Sequence, residues 1–329
     1  MTRLLFSLSL IFVVAVGLLC TSTATAQQKP KYTDPKNTDD DFAIQGEYTL
    51  ASGAKKGPAL QVIALGKGEF EAAIFKNGLP GSNPKREDPV RIRATRDGTS
   101  VRFDTGESSY TVNGKSATFE EPGETDVTGK RIERKSPTLG LAPPKNATVL
   151  FDGSSTDLWK NGRQEDGLLV QGTTSKPTFG SHRLHIEFRI PYQPLDRGQG
   201  RGNSGIYVQG RYEIQMLDSF GLVGKHNECG GLYSVKDPAL NMCFPPLTWQ
   251  TYDIEYTAAK FDDSDKLTAH PRVTVRHNGV VVHNDVELPG ERSTTAAPSR
   301  PGPAPGPIFL QNHGCPVRYR NIWVVETKE

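Results

Sequence analysis

Short β-type runs separated by Gly, Pro, Asn and Asp fill the sequence from residue 46 almost to its end, and no segment shows a sustained helical period. The clearest signal is Asn278-Gly279, which stands between the apolar runs 273–277 and 280–283. Asn-Gly in that setting is the most specific short hairpin signal known. The pattern predicts an all-β chain and disfavours an α/β fold.

The N-terminus is typical of a secretory signal. Arg3 precedes an apolar run over residues 4–19, and Ala24-Thr25-Ala26 supplies an A-x-A cleavage site. We therefore expect residues 1–26 to be removed and the mature protein to be periplasmic or secreted. An uncleaved anchor is the weaker alternative. No second apolar run is long enough to span a bilayer, so no membrane span is expected after cleavage.

Composition divides the rest of the chain into four parts. Residues 27–45 are polar with an Asp run, which predicts a disordered leader. Residues 46–135 carry seven candidate strands and no His, Cys or Trp, which predicts a small all-β accessory domain. Residues 136–147 are Pro-rich and predict a stiff linker. Residues 148–329 have the size of one all-β sandwich.

The charge balance argues against polyanionic partners. Lys and Arg number 39 against 37 Asp and Glu, and no long basic tract occurs, so nucleic acid and anionic membranes are disfavoured as partners. All seven His and all three Trp lie beyond residue 150, which places any active site in the second domain.

Three cysteines remain after signal removal, namely Cys229, Cys243 and Cys315. In an exported protein one pair could form a disulfide and leave one thiol over. Cys229 with Cys243 is the favoured pair because both lie in one loop-rich segment. Other pairings, and three buried free thiols, remain open.

The stretch 202–219 holds the first candidate constellation. Alternation along the run 212–218 puts Glu213 and Gln215 on one face, near the polar pair Asn203-Ser204. A three-residue hairpin loop would place Tyr207 beside Glu213, whereas a two-residue loop would place Val208 there. A carboxylate and an amide on one face favour a ligand site over a merely solvated surface.

The stretch 307–323 holds the second constellation, in which Gln311, His313 and Arg318 surround a Gly turn. His is the side chain best suited to proton transfer near neutral pH, although His313 could instead cap the turn. His226-Asn227-Glu228-Cys229 lacks the spacing of a zinc site. No phosphate or dinucleotide motif occurs, so no cofactor is expected, and a divalent metal ion stays open.

These stretches together resemble the bacterial 3-keto-disaccharide hydrolases, a family formerly known as a domain of unknown function. The resemblance covers the second domain, and the residues that carry it follow here in chain order: Leu150-Phe151-Asp152-Gly153, Trp159, 203–207, 212–219, 249–253, 275–279, 311–314 and 317–323. Asn312 stands where the family has Asp, and Cys315 replaces a residue that is usually Asn.

The resemblance implies a concanavalin A-like jelly-roll β-sandwich that cleaves glycosides already oxidised to a ketone at C3 by a partner sugar 3-oxidoreductase. It implies a hydrolase or a lyase with Glu213 and His313 as the acid/base pair. The expected substrate-binding residues are Asn203, Tyr207, Gln215, Asp218, Gln311 and Arg318. A direct two-carboxylate glycosidase with Asp218 as partner is possible instead. The runner-up function is a non-catalytic carbohydrate-binding module on the same sandwich, and the third is a structural or surface-interaction protein.

Overall fold

The computed structural model describes residues 29–50, 57–82 and 86–327. The predicted signal peptide and Cys20 lie outside these residues. Strands account for 45% of the chain and helices for 4%, so the all-β prediction is confirmed. Within the described ranges no helix is long and apolar enough to cross a membrane.

Eight antiparallel strands form a closed barrel in the N-terminal part of the chain, with β1 pairing both β2 and β8. The strands are Gly46–Thr49 (β1), Ala59–Gly66 (β2), Glu69–Phe75 (β3), Val90–Asp97 (β4), Ser100–Asp104 (β5), Ser109–Val112 (β6), Ser116–Glu120 (β7) and Val127–Ile132 (β8). The seven candidate strands of this region overlap β2 to β8, and β1 was not among them. Closure depends on Gly129 in β8, because a Cβ there would lie 1.8 Å from the Thr49 carbonyl oxygen.

Two further sheets enclose the main hydrophobic core, which takes residues from both. Their strands are Thr148–Phe151 (β9), Trp159–Lys160 (β10), Gln164–Glu165 (β11), Leu168–Val170 (β12), Thr173–Phe179 (β13), His182–Arg189 (β14), Ser204–Val208 (β15), Tyr212–Met216 (β16), Trp249–Thr257 (β17), Arg272–His277 (β20), Val280–Glu287 (β21), Gly306–Leu310 (β22) and Arg318–Glu326 (β23). Lys260–Phe261 (β18) and Leu267–Ala269 (β19) form a separate small hairpin.

The smaller sheet has the order β10-β13-β22-β15-β16, and the larger has the order β11-β12-β23-β14-β17-β20-β21 with β9 paired to β23. The predicted Asn-Gly turn joins β20 to β21. Asn278 and Gly279 both have positive φ, at 50° and 81°, as a type I′ hairpin requires.

The leader is ordered from residue 29 onward, which corrects the prediction of disorder for residues 27–45 as far as the structure describes them. It contains a 3-10 turn at Pro35–Asn37 and a short helix at Asp40–Ile44 (α1). The Asp run that suggested disorder has structural uses. Asp39 caps α1 by accepting a hydrogen bond from the Phe42 amide at 3.2 Å, and the buried Asp41 carboxylate lies 3.1 Å from Arg96 Nε.

The Pro-rich linker packs on the outer face of the larger sheet. Ser136 Oγ lies 2.6 Å from Thr251 Oγ1, the Gly140 amide donates to Glu187 Oε1 at 2.5 Å, and Asn321 Nδ2 donates to the Leu141 carbonyl at 3.0 Å. The linker is therefore held against the sheet along its first half.

Cys229, Cys243 and Cys315 are buried free thiols, so the favoured Cys229–Cys243 disulfide is not formed. Each of the two thiols has other partners in the core. Cys229 Sγ lies 3.2 Å from the Tyr252 hydroxyl, and Cys243 donates to the Leu217 carbonyl at 3.5 Å.

Candidate active site

The hairpin β15–β16 settles which residue stands beside Glu213. Its register pairs Val208 with Tyr212 and Tyr207 with Glu213, so the loop has three residues. Gln209 and Gly210 take positive φ values of 52° and 64° in that loop. The three-residue alternative is therefore correct, and Tyr207 is the cross-strand neighbour of the candidate acid/base residue.

Glu213 and Gln215 lie on the outer face of the smaller sheet. Their neighbours Tyr212, Ile214 and Met216 belong to the core, and successive side chains of a strand point to opposite faces. On the same outer face Gln311 follows β22, and its Nε2 donates to the Tyr207 hydroxyl at 3.1 Å. The structure thus brings Tyr207, Glu213, Gln215 and Gln311 to one face of the smaller sheet.

Gly205 leaves room for the Glu213 carboxylate. A Cβ at position 205 would lie 2.0 Å from Glu213 Oε1, so the carboxylate occupies the space where any other residue would place its side chain. Gly205 is paired with Gln215, and its carbonyl accepts a hydrogen bond from the Gln311 amide at 2.9 Å. The Glu213 carboxylate therefore lies over the backbone of Gly205.

The Glu213 carboxyl is held in an environment that favours its neutral form. The residue is 2% exposed, and burial raises its pKa to about 8, an effect that the Tyr207 hydroxyl partly opposes. Its Oε1 has no hydrogen-bond partner among the described residues. A buried polar oxygen without a partner is uncommon in proteins and is what a ligand donor or acceptor would satisfy.

A chain of amides extends the site from Gln215. Gln199 Oε1 accepts from Gln215 Nε2 and from Asn203 Nδ2, both at 3.1 Å, and Gln199 Nε2 donates to the Asn227 carbonyl at 2.7 Å. Asn203 Oδ1 is a second buried oxygen without a partner among the described residues. Asn203 thus lies in contact with Gln199 and close to Gln215, and its binding role stays a prediction. Gln199 was missed because it belongs to a loop with no strand periodicity.

A loop beside β16 adds aromatic residues to the rim. The Tyr233 amide donates to the Glu213 carbonyl at 3.1 Å, and the Tyr233 ring meets the His226 ring edge-on with centroids 6.2 Å apart. The Ser234 amide donates to His226 Nδ1 at 3.1 Å, which leaves Nε2 as the protonated nitrogen of the neutral ring. His226 appeared in the sequence as a weaker candidate, and Tyr233 carried no signal.

His313 lies in the exposed turn after β22, two residues beyond Gln311. The leader borders this turn, because Lys31 Nζ donates to the Gly314 carbonyl at 2.6 Å. Asn312 Oδ1 accepts from the Gly314 amide at 2.9 Å, so this residue shapes the turn. His313 is therefore linked to the site along the chain through Gln311, and no hydrogen bond joins it to Glu213 among the described residues.

Two predicted binding residues have their charged groups engaged by other residues of the fold. Arg318 belongs to β23 of the larger sheet, where it pairs with Arg189 and its Nη2 donates to Glu165. Asp218 follows β16, and its carboxylate accepts from Arg201 Nε at 2.6 Å and from the Phe220 amide at 3.3 Å. Both carboxylate oxygens of Asp218 are therefore occupied within the fold. Alternation along one strand could not reveal that Asp218 pairs with Arg201, or that Arg318 belongs to the other sheet.

The site can transfer a proton and can form hydrogen bonds with the oxygen atoms of a ligand. Glu213 is a carboxyl of raised pKa, and the amides of Gln199, Asn203, Gln215 and Gln311 offer donors and acceptors around it. Metal-type clusters do not occur in the described ranges, where no three His, Cys, Asp or Glu side chains lie close enough together to hold an ion.

Comparison with known proteins places the second part of the chain in a family. Residues 146–325 match the model of the 3-keto-alpha-glucoside-1,2-lyase-like domain. A solved structure from Parabacteroides distasonis, provisionally named a glycosyl hydrolase, is similar at 34% identity and a TM-score of 0.51, over 56% of this chain and 85% of that one.

Two further provisionally named glycosyl hydrolases from Parabacteroides distasonis are more distant. One has 18% identity and a TM-score of 0.41 over 56% of this chain and 95% of its own, and the other 19% and 0.38 over 55% and 99%. The search of curated proteins found no match. The family match and the 34% identical structure support an enzyme that acts on glycosides.

Proposed function

The chain belongs to the 3-keto-alpha-glucoside-1,2-lyase-like family, and on that premise we propose that it cleaves 3-keto-glycosides by acid/base chemistry at Glu213. The observation that carries the proposal is the buried carboxyl of raised pKa whose Oε1 has no partner among the described residues. The two-sheet unit would then be a concanavalin A-like jelly roll with sugar bound on the outer face of its smaller sheet.

The reaction needs two proton transfers. A ketone at C3 acidifies the C2 proton, so a base can remove it, and the resulting enolate expels the C1 substituent as the C1–O bond breaks. The leaving oxygen takes a proton, and addition of water to the unsaturated product gives net hydrolysis. Without that addition the outcome is a lyase reaction.

Glu213 suits the acid role. With a pKa of about 8 it is mostly protonated at neutral pH and can deliver a proton to the leaving oxygen. His313 is the proposed base, exposed in the turn two residues from Gln311, so the substrate would lie between the two groups. Gln215 and Gln311 are positioned beside Glu213 to donate to the developing enolate oxygen. No cofactor is invoked.

The setting of the reaction follows from its chemistry. The substrate must come from a sugar 3-oxidoreductase, because glycosides do not carry the ketone beforehand. The signal-like N-terminus supports action in the periplasm or outside the cell.

A carbohydrate-binding module is the second candidate. It is favoured by the burial of Glu213, Gln215 and Asn203, each at most 2% exposed, which leaves the rim residues as the surface a sugar would meet first.

Incubating the purified protein with a 3-keto-disaccharide and with its unoxidised parent separates the candidates. Sugar release from the keto form alone, lost in Glu213→Gln, supports the proposed enzyme. Binding of either sugar without turnover supports the module. Full turnover in both Glu213→Gln and His313→Ala would refute the assigned acid/base pair.

A further inference from the structure

The barrel strand β2 is buried on both of its faces. Its residues Val62 and Ala64 belong to the core inside the barrel. Ile63 stands between them and points to the opposite face, where it packs with Ala73 and Phe220 in a separate buried cluster. Phe220 belongs to the loop that follows β16 of the smaller sheet. The barrel therefore packs an apolar outer face against a loop of the two-sheet unit.

The end of β2 also holds the loop that joins β14 to β15. The pairing of β2 with β1 stops before Ala64, and its register with β3 shifts just beyond that residue. A shift of this kind interrupts the ladder and frees backbone groups for other partners. The Ala64 carbonyl accepts from Arg201 Nη2 at 3.3 Å. The Leu65 carbonyl accepts from Arg197 Nη2 at 2.7 Å. Two neighbouring carbonyls of the barrel thus anchor both ends of the segment 197–201.

The anchored segment carries Gln199, which contacts the candidate active site. Gln199 Oε1 accepts from Gln215 Nε2 at 3.1 Å, and this bond fixes which way the Gln215 amide faces. Gln199 Nε2 donates to the Asn227 carbonyl at 2.7 Å. Gln199 therefore connects the loop after β14 with the loop after β16, and it orients a side chain of the site.

The loop after β16 receives hydrogen bonds from the barrel as well. Arg91 in β4 donates through Nη2 to the Gly221 carbonyl. Arg86, which precedes β4, donates through Nη2 to the Gly224 carbonyl at 3.1 Å. Gly224 is three residues before Asn227, the partner of Gln199. Both loops that meet at Gln199 are therefore fixed to the barrel through their backbone carbonyls or their arginine side chains.

We propose that the barrel positions the active site, because it holds the two loops that place Gln199 against Gln215. Arg91 and Arg197 are the positioning residues, and they act through Gln199 rather than on the substrate. The inference rests on the proposed function, in which Gln215 donates to the developing enolate oxygen. A displacement of about 1 Å in such a donor can cost about 100-fold in rate.

The test compares variants of the full chain by two readouts. The ¹H–¹⁵N signals of the Gln199 and Gln215 side-chain amides report their positions, and kcat and KM for a 3-keto-disaccharide report the reaction. We expect Arg197→Ala and Arg91→Ala each to shift both amide signals and to lower kcat about tenfold or more with a smaller change in KM. Arg197→Lys keeps a donor for the Leu65 carbonyl and should restore most of both. Arg102→Ala is the matched control, because Arg102 is an exposed barrel residue that pairs with Glu120 of the barrel itself.

Unmoved Gln199 and Gln215 signals in Arg197→Ala and Arg91→Ala would overturn the proposal. An equal shift in Arg102→Ala, or a shift in Arg197→Lys as large as in Arg197→Ala, would also contradict it. Arg197 is exposed, so its replacement should leave the fold intact, which circular dichroism checks. If the unmodified protein does not turn over the keto sugar, the proposed function fails, and the amide signals still decide whether the barrel positions the two amides.

Discussion

Replacing Glu213 with Gln should make the protein more stable, and increasingly so as the pH rises from 5 to 9. In the unfolded chain this carboxyl ionises near its ordinary value of 4.5, whereas burial raises its pKa to about 8 in the folded protein. Between these values the folded state keeps a proton that the unfolded state releases. Stability therefore falls as the pH rises through this window and levels off above it.

The size of the effect follows from the pKa difference. Each pKa unit corresponds to about 1.4 kcal/mol, so the raised pKa costs about 3 kcal/mol of stability at pH 7 and about 5 kcal/mol above pH 8. Glutamine has the shape of the protonated carboxyl and cannot ionise. Glu213→Gln should remove this cost while abolishing proton transfer, which is the usual exchange between stability and activity at a functional site.

Urea unfolding of the variant and the unmodified protein at pH 5, 7 and 9 measures the difference in free energy of unfolding. Glu255→Gln is the matched control, because Glu255 is exposed on β17 and its pairing with Arg276 should contribute less than about 1 kcal/mol at any of these pH values. If the difference in free energy of unfolding between Glu213→Gln and the unmodified protein stays constant from pH 5 to 9, the pKa of Glu213 is not raised in the folded protein. The proposed acid role would then lose its basis.

Three further predictions follow from the same geometry. Gly205→Ala should remove turnover of the keto substrate by displacing the Glu213 carboxylate, whereas Gly180→Ala, with no atom within 4 Å of its new Cβ, should retain it; equal activity in both would contradict the packing argument. Asp218→Ala should lower the free energy of unfolding by about 3–5 kcal/mol because it leaves the buried Arg201 without its ion-pair partner. A variant of unchanged stability that has lost turnover would instead show that Asp218 acts in the site. Arg318→Ala should leave KM and kcat for the keto substrate within about twofold, since it lies on the other sheet, and a large rise in KM would refute that placement.

The sequence predicted local backbone geometry better than it predicted which side chains contact one another across the fold. Alternation placed Glu213 and Gln215 on one face, and Asn278-Gly279 gave the correct hairpin, because both depend on a few consecutive residues. The loop length between β15 and β16 stayed open, since it depends on whether Gln209 adopts a left-handed conformation. The order of the leader was missed because Asp41 is buried against Arg96, a residue 55 positions away.

Gly205 explains why the site could be recognised only in part. A glycine within a strand normally weakens it, and from the sequence alone it carries no chemistry. In the structure it is the position that leaves room for the Glu213 carboxylate, on the sheet face that also carries Gln215. The same argument separates Glu213 from Asp218. Both are buried carboxylates, but Asp218 is matched by an arginine that fixes its charge within the fold, whereas Glu213 Oε1 is left unmatched among the described residues. A carboxyl held neutral and unmatched costs stability, and a function that uses its proton is the reason we infer for keeping it.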